Sequence, residues 1–141
     1  MNKTLPNQAI REALFTLLDG IEVSGEVIPC YDTRVSGVDD PDYFILMSSQ
    51  TNTVDKSVKC GYRWESEIVI DINTRYGGYG NPGDRTLANA ILDEVRDLTQ
   101  DITIEGFDVV TVTQTFPNDL FLETESYNIF RSFIRLSLLL D

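Results

Sequence analysis

A chain of 141 residues, 42% hydrophobic and 24% charged, has the size and composition of one ordinary globular domain. No apolar run approaches the roughly twenty residues a membrane-spanning helix needs, which excludes that class. Its 23 acidic against 11 basic residues give a formal net charge of −12, which argues against a grip on nucleic-acid phosphates and favours a protein partner.

There is no histidine, which removes the commonest general base, the commonest zinc ligand and every Ser-His or Cys-His arrangement together. The first residues, Met1-Asn2-Lys3-Thr4-Leu5-Pro6, lack the basic-then-apolar layout of a signal peptide, so synthesis in a cytoplasm is the expectation. Cys30 and Cys60 have no metal or redox spacing and are expected as separate reduced thiols.

Asn7 is placed to cap a first helix whose Ile10, Ala13, Leu14, Leu17 and Leu18 form an apolar stripe, closed by Asp19-Gly20. After a turn at Ser24-Gly25, the stretch Val27-Ile28-Pro29-Cys30-Tyr31 reads as an edge strand, because its proline cannot donate to a ladder. Residues 33–42 form a loop with an acidic tip of Asp39, Asp40 and Asp42. Three carboxylates suit a hard cation, but the EF-hand pattern is not met and Pro41 limits their convergence, so a solvated tip is preferred. Tyr43-Phe44-Ile45-Leu46-Met47 is a second strand, apolar throughout. The polar segment 48–61 is too long for a tight hairpin and reads as a loop or an extended β-arm.

From Arg63 to Arg75 the pattern has period two. Trp64, Ser66, Ile68, Ile70 and Ile72 share one side, and Glu65, Glu67, Val69, Asp71 and Asn73 the other. A glycine turn follows, and then Leu87, Ala88, Ile91, Leu92, Val95 and Leu98 recur at helical spacing, with Asp84 placed as a cap. This strand and helix, each with one apolar face, are expected to cover one another.

The turn Gly78-Tyr79-Gly80-Asn81-Pro82-Gly83 matches the glycine pattern of a dinucleotide fingerprint. Three physical points oppose that reading. A dinucleotide-binding strand is buried on both faces, whereas this one alternates. Asp84 sets a carboxylate on the amides a pyrophosphate would need, and Pro82 removes one donor. A plain turn is preferred. Glu65 and Glu67, with Asp71, could mimic a glycosidase pair, but an exposed or intersubunit face is the better reading. Trp64, Tyr76 and Tyr79 could stack on bases or sugars, and core or interface packing is preferred. Arg75 and Arg85 flank the turn and suit either an anion or, by default, neighbouring carboxylates. No motif argues for an enzyme, a cofactor or a metal.

Phe107 to Thr113 is rich in β-branched residues and reads as a strand. Pro117-Asn118-Asp119 and an acidic stretch, Glu123-Thr124-Glu125, lead to the last strand, from Asn128 to Leu140. There Phe130, Ile134, Leu136, Leu138 and Leu140 face one way, and Arg131, Phe133 and Arg135 the other. At about 3.4 Å per residue that strand runs roughly 44 Å, so a bend or a reach to a neighbour is expected. The order of elements implies a single α+β domain over residues 1–141. Its core is a mainly antiparallel β-sheet with two α-helices packed on one face.

Pro29-Cys30-Tyr31-Asp32-Thr33-Arg34-Val35, then Asp42-Tyr43-Phe44-Ile45-Leu46, then the strand from Ile68 into Thr74-Arg75-Tyr76-Gly77-Gly78 and a helix, resemble one known family. It is the tail-completion proteins of tailed bacteriophages, the small tail-terminator and head–tail joining proteins of the neck. The likeness covers residues 8 to 140 and rests on the whole pattern, each motif alone being weak. It implies a tail-terminator-like fold with a projecting hairpin, and a structural virion protein that forms a ring in the neck. Such a ring joins or terminates the tail at the portal connector and lets DNA pass without specific binding. The implied partners are further copies of the chain, as a hexamer or alternatively a dodecamer, with portal or connector and tail-tube proteins; no cofactor and no membrane are implied.

By position, segment 48–61 corresponds to the projecting hairpin, though with two lysines and little apolar character it departs from familiar members. The candidate ring or neck contacts are Thr51, Asn52, Lys56, Lys59, Arg75, Tyr79 and Arg85. A negative lumen would suit the charge of −12. The alternative of a different class is a monomeric adaptor or small-ligand-binding domain using the glycine turn at 78–83.

Overall fold

The computed structural model describes residues 4–32, 42–55, 63–77, 85–117, 119–123 and 127–141. Within them the chain runs α1 (Asn7–Leu18), β1 (Ile21–Val23), β2 (Glu26–Ile28), β3 (Cys30–Asp32), β4 (Tyr43–Asp55), β5 (Arg63–Gly77), α2 (Arg85–Thr99), β6 (Val109–Thr115), β7 (Leu120–Glu123) and β8 (Tyr127–Leu140). β1 and β2 form a separate hairpin. The others make a six-stranded sheet in the order β3-β4-β5-β8-β6, with β7 also paired to β8. β3 runs parallel to β4 and the other pairings are antiparallel, so the fold is α+β, as expected.

Two long strands carry the frame. β5 pairs with β8 position by position from Trp64 opposite Leu140 to Gly77 opposite Tyr127. The length of β8 is therefore absorbed inside the molecule, by a partner equally long. Alternation places Trp64, Ile68, Ile70 and Ile72 of β5 on the same face as Ile134, Leu136, Leu138 and Leu140 of β8, and all are buried. α1 lays Ile10, Leu14 and Leu18 on that face, and α2 lays Ile91 and Val95 beside them in the same core. Each such side chain is worth about 1.5–3 kcal/mol when buried, so this face decides the register. A one-residue slip of β5 would turn Ile68, Ile70 and Ile72 outward and Glu67 and Asp71 inward. No helix among the described residues is long and apolar enough to cross a membrane.

The start of α1 differs from expectation. Pro6 precedes the helix, its carbonyl accepting from the Ile10 N–H at 2.9 Å, and Asn7 is already the first helical residue without capping it. Proline costs nothing there, because the N–H it lacks would have no helical partner. At the other end Gly20 takes φ of 76°, and the Asp19 carboxylate accepts from the Cys30 N–H at 3.0 Å.

The expected edge strand from Val27 to Tyr31 is in fact two strands in two sheets. Ser24 and Gly25 have φ of 53° and 82°, the pattern of a two-residue hairpin turn that folds β2 back onto β1. Pro29 then interrupts, and β3 begins as the edge of the main sheet. Beyond Met47 the chain is not a loop. After a bulge, Gln50 to Asp55 continue β4 against Ile68 to Arg63 of β5, while residues 56–61 of the expected arm lie outside the described residues. Arg11 of α1 reaches this bulge, donating to Ser48 O at 2.8 Å and Gln50 Oε1 at 2.9 Å while pairing with Asp32. β7 was not foreseen, and β6 starts at Val109 rather than Phe107.

Candidate functional site

With both helices on one side, the sheet turns its other face outward. Register builds two rows across four strands there. Thr53, Glu65, Leu139 and Thr111 stand side by side, and so do Thr51, Glu67, Ser137 and Thr113. They line a shallow groove of about 390 Å³. The sequence produces it because threonine suits a pleated strand while keeping its hydroxyl available to solvent. Glu67 is held by Arg135 at 3.2 Å, both about half exposed.

On this open surface hydroxyls and carboxylates stand side by side, and Glu67 is engaged by Arg135. Among the described residues no cluster of three or more histidine, cysteine or carboxylate side chains forms a metal site. Glu65 and Glu67 lie two residues apart on one strand, on an open surface rather than across an enclosed cleft.

The same face changes character toward the other end of β5. Asp71 is only 2% exposed, and its carboxylate accepts from Arg131 at 2.6 Å and from Asn73 Nδ2 at 3.0 Å. The Arg131 guanidinium lies 5.3 Å from the Phe133 ring centre. Next to them β7 sets Leu120 opposite Arg131 and Leu122 opposite Ile129. Phe121 points the other way and packs on Phe130, ring centres 4.8 Å apart. Arg85, at the start of α2, covers that same Phe130 at 4.9 Å and pairs with Asp119 at 3.0 Å.

The expected contact residues are dispersed. Thr51 is on the open face. Asn52 is on the core side, where its amide accepts from Ser66 Oγ at 2.6 Å and donates to Asn7, so it serves internal cohesion. Arg75 lies in β5 opposite Ile129, its N–H donating to the Asp42 carbonyl at 2.5 Å. Arg85 pairs with a carboxylate, the default expected for it. Lys56, Lys59 and Tyr79 lie outside the described residues, as do the glycine turn at 78–83, Cys60, Asp84 and the acidic tip at Asp39 and Asp40. Trp64 is buried in the core, in line with packing. The Cys30 thiol is pushed up to about 12 by burial and then by Asp19 and Asp32, so it stays protonated and inert at neutral pH.

Sequence reasoning missed Thr53, Thr111, Thr113 and Ser137. The period-two threonines of β6 were the available signal. It also missed Leu120 and Leu122, because a three-residue apolar run in a loop-like context carries no period.

No family model matches the sequence, and no curated protein matches it. Among solved structures the chain is similar to one from the virion of a native gene transfer agent (GTA) particle. The TM-score is 0.64 at 15% identity, covering 97% of this chain and 99% of that one. At this identity the likeness establishes a shared fold, and it does so over nearly the full length of both chains.

Proposed function

We propose that this chain is a structural virion protein of a tailed phage or phage-like particle, forming a ring in the neck that joins or terminates the tail at the portal connector. The observation that carries this reading is the whole-length likeness to a chain of a gene transfer agent virion. The open sheet face supports it. Two rows of hydroxyls and carboxylates, whose nearby cation Arg135 is occupied by Glu67, suit the wall of a channel that DNA crosses without being held. Copies of a chain at −12 around one axis sum to a negative field in the bore. In this reading the chain's partners are further copies of itself, six to the ring, with the connector on one side and the tail tube on the other. The function resides in contacts, and no reaction is part of it.

The test is electron microscopy of purified particles in which mass spectrometry has found this chain. A symmetric ring between portal and tail, with Thr51, Thr113 and Ser137 toward the bore, is the expected result. A position in the particle away from the portal–tail junction, or a bore lined by lysine and arginine, would sink the reading; so would failure of mass spectrometry to find the chain in any particle.

A further inference from the structure

β7 is a four-residue strand at the edge of the sheet, and its outer side meets no strand among the described residues. Edge strands of soluble proteins are usually blunted by lysine, proline or an inward charge. β7 is short and ends in Glu123, but it has no lysine or proline and exposes Leu120, Phe121 and Leu122 in succession, at 45%, 45% and 44%. The amides and carbonyls of that outer side, which meet no strand among the described residues, with apolar side chains on both faces, make a template for one more strand.

The charges around it select the partner. Carboxylates stand at both ends, Asp119 just before β7 and Glu123 as its last residue. Asp119 has Arg85 as its counter-ion, whereas Glu123 has none among the described residues. A second copy fits this edge poorly. Antiparallel pairing of β7 with its own copy would bring Glu123 of one beside Asp119 of the other. Like charges would therefore meet in that pairing. We infer that β7 receives an extended, basic segment of a different protein, which adds to the sheet as a further strand. Copy-to-copy contacts in a ring would then use other surfaces, so this inference and the neck reading can fail separately.

The test is fluorescence anisotropy on the intact protein with two labelled peptides of alternating valine and threonine, one flanked by lysines and the other by glutamates. The lysine peptide should bind saturably, about tenfold or more tighter than the glutamate peptide. Glu123→Lys, at an exposed position, should weaken it about tenfold. Leu120→Lys combined with Leu122→Lys should abolish binding while the circular dichroism spectrum is kept. Absence of binding, equal binding of the two peptides, or indifference to Glu123→Lys overturns the proposal. So does sedimentation showing that the β7 changes convert an oligomer into monomers, because a second copy would then be the occupant. Lysine-peptide binding by a chain absent from particles leaves the proposal standing and removes only the neck reading.

Discussion

Asp71 shows what one buried charge demands. Period-two reading places it with Glu65 and Glu67 on the polar side of its strand, yet it is almost fully buried while Glu65 is exposed. Its charge is tolerated because Arg131 lies 2.6 Å away and Asn73 donates a second hydrogen bond. Removing the cation would leave a desolvated carboxylate with one amide for company. Arg131→Met should therefore cost about 2–4 kcal/mol, the lower part of the range allowing for an arginine that is one-third exposed. Urea unfolding reads this as a lower midpoint with an unchanged slope. Adding Asp71→Asn to that variant should recover part of the loss, since no charge is then left unpaired. The sequence tells that Asp71 and Arg131 each lie on the less apolar side of a strand. It is silent on their meeting, because they are 60 residues apart.

Among elements, the short strands and the far half of β4 differ from what the sequence predicts, whereas the two helices, β5 and β8 agree with it. A strand of three residues, such as β2 or β3, has too few alternations for its period to be seen. The reversal between β1 and β2 depends on Ser24 and Gly25 both adopting positive φ. A Cβ added at Gly25 would touch nothing, so Gly25→Ala should cost only the backbone term, about 1 kcal/mol, seen as a melting temperature a few degrees lower. Ser24→Asn should move the melting temperature the other way by a smaller amount, since asparagine tolerates that conformation better. The far half of β4 was read as loop or arm for a different reason. Its core side carries Gln50 and Asn52: both ends of the Asn52 amide are satisfied, by Ser66 and Asn7, and the Gln50 oxygen accepts from Arg11, while Gln50 Nε2 has no partner among the described residues. An amide that finds partners can occupy a core position, and apolar alternation then disappears from the sequence.

At the scale of the molecule, the last strand is among the most central. β8 lies between β5 on one side and β6 and β7 on the other, so the sheet cannot close until residues 127–140 are in place. Long-range pairings of this kind are formed late and support one another. A chain ending at residue 126 should therefore fail to fold, giving collapsed amide dispersion in a proton–nitrogen NMR spectrum. Native-like dispersion would instead show that β3, β4 and β5 with the helices form a unit without β8.

Composition and periodicity by themselves determined the α+β class, the two helices, the long strands, the buried face of each, and a charge unsuited to gripping phosphates. They did so because a period, once three or four repeats long, assigns every residue to the inner or outer side of its element. Only the tertiary structure decided which residues stand next to each other. The threonine and glutamate rows, the Asp71–Arg131 pair and the place of β7 at the sheet edge all come from pairing between residues of different strands. A side chain's face is a local property of its own strand, whereas its neighbours across the sheet are set by register, which depends on the burial of every strand at once.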